Sequence, residues 1–171
     1  MKVILFLVSF MGMIQGGMLS TQITPLDQSV ETKNVKLLDQ KILLFEKING
    51  LKFSEISDLA YDSKKHRLYF VSDEGKLFTF EARFSEKIEH LKALTGVELV
   101  KKNGKRFKPW RRDSEGLAIN NNAELFASFE GRAKIGKFDK NGNMVKEYYL
   151  PKKLTNQCFF LFEDIRFVEF A

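Results

Sequence analysis

Internal self-similarity constrains this chain more than any other feature, because repeated supersecondary units stack into repeat folds. Residues 69–75 (Tyr-Phe-Val-Ser-Asp-Glu-Gly) align with residues 125–131 (Leu-Phe-Ala-Ser-Phe-Glu-Gly), 56 positions later. Two flanking matches keep the same order: residues 59–62 with 117–120 upstream, and residues 77–80 with 135–138 downstream. The three matches together predict two consecutive copies of one structural unit.

The second copy divides into four short strands separated by turn residues. Asn121-Asn122, Glu130-Gly131 and Asn141-Gly142 mark the turns, and Asn-Gly is among the strongest hairpin signals. Pro151 ends the last strand, because proline interrupts a ladder. The predicted strands cover residues 115–120, 124–129, 133–139 and 144–150. Four antiparallel strands in a repeat of about 40 to 60 residues are typical of a propeller blade.

The first copy is predicted to begin near Ser57 and to run to Arg83, with its outer portion enlarged by residues 84–112. Residues 41–48 are expected to form an outer strand of a closing blade. The abundance of phenylalanine, 17 residues, also favours strands. The predicted fold class is therefore all-β: an incomplete β-propeller of four-stranded antiparallel blades, about two blades plus an edge strand.

The first 20 residues are predicted to be a signal peptide, in which Met1-Lys2 precedes an apolar run at residues 3–14. Twelve residues span about 18 Å as a helix, too short for a bilayer core of about 30 Å; the alternative is an N-terminal anchor. Cys158 is the only cysteine, so no intrachain disulfide can form, which suits a bacterial envelope protein. We expect a periplasmic or secreted protein without a transmembrane span after signal removal.

The remaining boundaries follow from composition. Residues 21–40 form a polar lead-in, residues 41–154 the partial propeller, and residues 155–171 a phenylalanine-dense tail without clear period. The tail fits either a buried inner strand of a next blade or an aberrant or truncated end. A closed propeller is expected to be a monomer.

Acidic residues are predicted to gather at one end of the blades. In an antiparallel blade, the start of the innermost strand and the turn between strands two and three lie at the same end, which brings Glu115 and Glu130 together. Ser57-Asp58 and Asp73-Glu74 are the equivalents in the first copy. Seven carboxylates are expected around the channel mouth: Glu55, Asp58, Asp73, Glu74, Asp113, Glu115 and Glu130.

Clustered carboxylates repel one another unless a cation or hydrogen-bond donors offset their charge. Calcium accepts six to eight oxygen ligands in irregular geometry, so Ca²⁺ is the predicted cofactor, with Asp58, Glu115 and Glu130 as ligands. His66 and His90 are the only histidines, which argues against a histidine-rich zinc or iron site. Alternatively, the acids are turn residues and strand caps that face water.

Basic charge is concentrated between Lys101 and Arg112, where seven Lys or Arg occur without an acid. The rest of the chain holds 21 basic and 22 acidic residues, although the net charge is +6. A nucleic-acid binder distributes its charge over a face or groove, so nucleic acid is not an expected partner. The alternatives are an anionic small-molecule substrate or a solvated hairpin tip around Asn103-Gly104. The predicted substrate-binding residues are Lys105, Arg106, Arg111 and Arg112.

Four segments resemble the phytase-like ("esterase-like activity of phytase") domain family: residues 56–62, 67–73, 113–118 and 128–131. The resemblance implies an exported bacterial propeller of about twice this length, with phosphoester or ester hydrolysis and with Asp113, Glu115 and Glu130 at the site. It also implies a third acidic element, Gly-Phe-Glu-Ala-Leu-Ala, soon after Pro151. The nearest sequence here is Phe162-Glu163-Asp164.

The main functional hypothesis is a calcium-dependent hydrolase in which Asp113 and Glu115 are the predicted catalytic residues, Asp113 as ligand or base. The chain has no Gly-x-Ser-x-Gly nucleophile elbow. Two alternatives remain open: a non-catalytic propeller that binds a ligand or partner on its acidic face, and a truncated gene product without independent activity.

Overall fold

The computed structural model describes residues 17–20, 31–32, 35–36, 38–130 and 133–150, in which the regular secondary structure is β-strand apart from one 3-10 turn. They form two four-stranded antiparallel sheets and three two-stranded ones. The apolar run of the predicted signal peptide, most of the lead-in and the whole tail at residues 155–171 lie outside the described residues. No helix within the described ranges is long and apolar enough to cross a membrane.

Six short strands precede the two large sheets. They pair as β1 (Met18–Ser20) with β4 (Lys41–Leu43), β2 (Glu31–Thr32) with β3 (Val35–Lys36), and β5 (Lys47–Ile48) with β6 (Leu51–Lys52). The single outer strand predicted over residues 41–48 is therefore wrong. The chain leaves the extended ladder at residues 44–46, because Phe45 turns into a hydrophobic core. Asn49 and Gly50, with φ of 51° and 78°, then close the β5–β6 hairpin.

The first four-stranded sheet, which we call the first blade after the predicted architecture, has the order β7-β8-β9-β10. Its strands are β7 (Ile56–Asp62), β8 (Arg67–Ser72), β9 (Lys76–Phe84) and β10 (Ile88–Glu98). Residues 84–112 do not enlarge its outer portion as predicted: their first part supplies the regular fourth strand. The remainder, residues 99–113, is a connector to the second blade, and it contains one 3-10 turn at Pro109–Arg111.

The second blade has the order β11-β12-β13-β14 and the predicted strands within one or two residues. They are β11 (Ser114–Ile119), β12 (Leu125–Phe129), β13 (Lys134–Phe138) and β14 (Met144–Tyr149). Buried and half-buried residues alternate along β12 and β13, as expected of strands whose two faces differ. Gly142, with φ of 82°, closes the predicted Asn-Gly turn.

The two blades carry the same irregularity at the same place. The β7–β8 ladder shifts register between Ile56 and Asp58, and the β11–β12 ladder shifts between Ser114 and Gly116. Each shift is a β-bulge, which re-aims one side chain at the end of a strand. The bulged residue is Ser57 in the first blade and Glu115 in the second.

The ladder register also corrects the sequence alignment of the repeats. Asp58 pairs with Val71, and Gly116 pairs with Ser128. Val71, and not Ser72, is therefore the structural equivalent of Ser128. A shift of one residue in the register moves every side chain to the other face of a strand. The alignment of identical residues therefore placed this segment one position out of register. In the corrected register Asp73, and not Glu74, is equivalent to Glu130.

Two hydrophobic clusters hold the blades. One lies between them and joins Tyr69, Val71 and Leu77 of the first blade to a larger set on the second. The other covers the opposite face of the first blade, where Phe45 and Phe53 meet its aromatic side chains edge to face. The second-blade residues of the shared cluster are Leu117, Leu125, Ala127, Phe129, Phe138 and Met144. The two sheets thus share one hydrophobic cluster, and their arrangement as consecutive blades of a closed propeller stays a prediction.

Candidate metal centre

Three carboxylates meet at one end of the second blade. Asp113 ends the connector, Glu115 occupies the bulge in β11, and Glu130 follows β12. One oxygen from each lies within 4.8 Å of the others. We refer to these residues as the acidic triad. Their proximity was predicted from blade topology, because the start of β11 and the β12–β13 turn share an end of the sheet.

A glycine beside Glu115 allows the close packing of the bulge. A Cβ atom on Gly116 would lie 2.6 Å from Ser128 Oγ and 3.9 Å from Asp58 Oδ2. A side chain at this position would force the Ser128 hydroxyl to shift, whereas its contact with Asp58 would be an ordinary van der Waals contact. In the pair Glu115-Gly116, the glycine therefore allows close packing of the two strands, and the glutamate supplies a carboxylate to the triad.

Backbone hydrogen bonds hold the triad in place. The Glu130 amide donates to the Asp113 carbonyl oxygen at 3.0 Å, and in the first blade the Asp73 amide donates to the Glu55 carbonyl oxygen at 3.1 Å. Buried Ser114 donates its hydroxyl to the carbonyl oxygen of Ser72 at 2.5 Å. The last bond joins the two blades at Ser114, the residue between Asp113 and Glu115.

The electrostatics of the triad favour an added positive charge. Partial burial, the Asp113 carboxylate and its hydrogen bond, and the charges of Glu130 and Asp73 together raise the pKa of Glu115 to about 7. Asp73 Oδ1 is buried without a hydrogen-bond partner among the described residues. A group of acids that holds a proton at neutral pH, beside an unpartnered carboxylate oxygen, fits a divalent cation well.

Asp58, predicted as a third metal ligand, has a different set of contacts. Its Oδ2 accepts a hydrogen bond from the Leu117 amide at 2.8 Å, and its Oδ1 accepts one from the Leu59 amide at 2.7 Å. The first of these bonds fastens β11 to β7. Asp58 is not part of the group within 4.8 Å, and its ligation of a metal stays a prediction.

The predicted cluster of seven carboxylates is therefore smaller in the structure. Glu74 forms ion pairs with Lys76 and, at 3.6 Å, with Arg112. The hydrogen bond from Lys76 lowers the pKa of Glu74, so the negative charge of this carboxylate is already offset by basic side chains of the protein. Glu55 contributes its carbonyl oxygen and has a left-handed φ of 55°. The triad and the neighbouring Asp73 remain as the electrostatic core of the site.

The predicted anion-binding residues fall into two groups. Arg111 and Arg112 directly precede Asp113, and the guanidinium of Arg111 stacks 4.2 Å from the centroid of the Trp110 ring. Lys105 and Arg106 lie near the turn at Gly104, whose φ of 73° confirms the predicted hairpin tip. Arg106 forms an ion pair with Glu98 at 2.6 Å. Sequence proximity to the triad thus singles out the two later arginines.

Lys134 is not among the residues predicted from the sequence, and it is only 4% exposed. The signal was available in the alternation of β13, because Lys134 shares the buried parity of Gly136 and Phe138. A lysine at a buried strand position is unusual and indicates specific contacts.

The chain matches the family model described as phytase-like, esterase-like activity of phytase, over residues 51–158. The match covers both blades, the connector and all three residues of the acidic triad. No curated protein is significantly similar to the chain.

Proposed function

The chain belongs to the phytase-like family, and we propose on this basis that it is a metal-dependent hydrolase of phosphate or carboxylic esters. The observation that carries the proposal is the acidic triad, with three carboxylate oxygens within 4.8 Å of one another. Carboxylates at this spacing can share one hard cation.

The proposed cation is Ca²⁺, held by Asp113, Glu115 and Glu130. Three carboxylates supply part of the six to eight oxygen ligands that calcium takes. Because the three residues come from a loop, a bulge and a turn, they suit the flexible coordination of calcium better than the near-ideal octahedral coordination that magnesium requires. When bound, a divalent cation supplies Lewis-acid polarisation of a phosphoryl or carbonyl oxygen.

Asp113 and Glu115 are the proposed proton-handling residues. A group whose pKa lies near the working pH exchanges protons most effectively, and without a cation the pKa of Glu115 is raised to about 7; a bound cation would lower it again. The carboxylates of Asp113 and Glu115 lie within 4.8 Å of each other, and their interaction contributes to the raised pKa of Glu115. Asp113 then acts as ligand or general base beside the reacting group.

The proposed substrate is an anionic ester attracted by the basic connector. Arg111 and Arg112 are the nearest cationic residues along the chain to Asp113, and arginine matches the geometry of phosphate through paired donors. Lys105 and Arg106, farther along the loop, add to the positive field that draws an anion to this end of the blade.

Hydrolysis assays test the proposal. Purified protein is assayed with p-nitrophenyl phosphate and p-nitrophenyl acetate, with added calcium and with a chelator. We expect turnover in calcium and its loss in chelator. Glu130→Gln is expected to lower turnover by about 100-fold, since it removes one charged ligand.

Glu86→Gln is the matched control, because Glu86 is exposed in the β9–β10 turn. Turnover that is insensitive to both the chelator and Glu130→Gln would contradict the proposal. A calcium-dependent rise in melting temperature without turnover would instead assign a ligand-binding role to the acidic face.

We also propose export to the periplasm or beyond, supported by the basic start and apolar run of residues 1–14. Fractionation of cells that express the full chain tests this. Retention of the protein in the cytoplasm would contradict it.

A further inference from the structure

Lys134 places a positive charge inside the second blade, four residues after Glu130 and in contact with the connector that leads to Asp113. It is the first residue of β13, it pairs with Phe129 across the ladder, and its side chain is buried. Glu130 follows Phe129 directly. A buried ammonium is costly unless its protons and its charge are compensated, so the surroundings of Lys134 require an explanation.

The ammonium of Lys134 is held by groups from both the connector and the blade. Lys134 Nζ donates a hydrogen bond to the carbonyl oxygen of Arg111 at 3.1 Å. It also lies 4.6 Å from the ring centroid of Phe107 and 4.0 Å from that of Phe129. A cation over aromatic faces is attracted by their negative quadrupoles, so these contacts tie the connector to the second blade.

The anchored carbonyl lies two residues before Asp113. The Asp113 carbonyl oxygen in turn accepts the Glu130 amide at 3.0 Å, so the end of the connector is fixed at two successive points. Between them lies Arg112, which leans towards Glu74 of the first blade at 3.6 Å. Without the Lys134 bond, the Arg111 carbonyl oxygen would lose this partner, and the last residues of the connector would be held by Arg112 and Asp113 only.

We propose that Lys134 is a positioning residue of the acidic triad. Its hydrogen bond to Arg111 fixes the backbone at Asp113, and the carboxylate of Asp113 therefore stays within ligand distance of Glu115 and Glu130. The effect of Lys134 on metal binding rests on the proposed function, whereas its effect on the backbone at Asp113 does not depend on a metal.

Three variants test the inference. Lys134→Met keeps the length of the side chain but removes the donor and the charge, and Lys134→Arg retains both. Lys140→Met is the matched control, because Lys140 is exposed in the β13–β14 turn. The first measurement is hydrogen exchange of the backbone amides by NMR in chelator, which compares Glu130 with Leu117. The Leu117 amide is bonded to Asp58 and does not depend on the connector.

We expect Lys134→Met to speed exchange at Glu130 by about tenfold and to leave exchange at Leu117 unchanged. Lys134→Arg is expected to restore slow exchange. The second measurement is terbium(III) binding, followed through emission sensitised by Trp110, the only tryptophan. Lys134→Met should weaken terbium binding by about tenfold, as loss of an outer-shell support does, and Lys140→Met should not.

Unchanged exchange at Glu130 in a folded Lys134→Met protein would overturn the inference. Accelerated exchange at Glu130 in a protein that binds no terbium would support the positioning role and would contradict the metal site instead. If Lys134→Met does not fold, the NMR spectrum of the wild-type protein provides the test instead. The ε-methylene protons of Lys134 should be shifted upfield by the two rings, and ordinary shifts would overturn the inference.

Discussion

At the scale of single residues, Glu115 links the stability of the fold to the chemistry of the site. The bulge in β11 carries this carboxyl to a place where Asp113, Glu130 and Asp73 all repel its charge. The folded protein therefore holds a proton that the unfolded chain would release. A cation removes the need for that proton, so metal binding and stability are coupled at this residue.

This coupling predicts a pH-dependent stability in the presence of chelator. The pKa of Glu115 is raised from 4.5 to about 7, so between these values the folded protein binds more protons than the unfolded chain. The free energy of unfolding should therefore fall as the pH rises from about 4.5 to about 7. We expect a contribution of about 1 kcal/mol, since solvent screens a partly exposed carboxylate.

Urea unfolding at pH 5 and pH 7.5 measures the effect. Glu115→Gln should remove this contribution and make the chelated protein more stable than wild type at the higher pH. Glu86→Gln should behave as wild type. An identical loss of stability between the two pH values in wild type and in Glu115→Gln would contradict the assignment.

At the scale of structural elements, the packing of β11 against β12 and β7 determines where Glu115 points. Gly116 packs closely against the side chain of Ser128. The carboxylate of Asp58 in the first blade accepts a hydrogen bond from the Leu117 amide in the second. The bulge is therefore held from both sides. Its side-chain direction is a property of three strands and not of the local sequence.

We predict that Gly116→Ala destabilises the protein by about 2 kcal/mol, because the added Cβ overpacks the contact with Ser128. Ser128→Gly should recover part of the loss when combined with Gly116→Ala, since it removes the clashing hydroxyl. Denaturant unfolding of the two single variants and the double variant measures the coupling. Strictly additive effects of the two substitutions would show that this contact does not determine the cost.

Sequence reasoning succeeded where local signals and topology suffice. Turn residues and repeated strands identified the second blade, and blade topology placed Glu115 beside Glu130. The sequence did not predict the features that depend on pairing between distant strands. Ser72 and Ser128 match as letters, yet the ladders place them on different faces. Phe45 leaves its predicted strand because a distant aromatic cluster holds it, and no local signal reports that packing.

At the scale of the whole molecule, the described part of the chain is stabilised by the cluster between the blades and by the aromatic cluster on the other face of the first. Neither blade buries its core residues alone, because each contributes one side of the shared cluster. The acidic triad and the bond from Ser114 to Ser72 lie at this junction. The site should therefore persist only while both blades are folded.

We predict that Leu125→Ala, in the shared cluster, and Phe78→Ala, in the other cluster, each lower the free energy of unfolding by about 3 kcal/mol. Leu125 is 3% exposed and Phe78 is fully buried. Both variants should unfold in one cooperative transition, followed by circular dichroism in urea. Two separate transitions in Leu125→Ala would show that the blades fold independently.

Asp113, Glu115 and Glu130 are proposed to ligate one divalent cation. Anomalous diffraction from crystals grown with calcium is the decisive measurement. We predict one ion peak that touches an oxygen of each of the three carboxylates at about 2.3 to 2.6 Å. No peak among these carboxylates at saturating calcium, or an ion bound only at another place on the blades, would show that the three residues do not form the metal site.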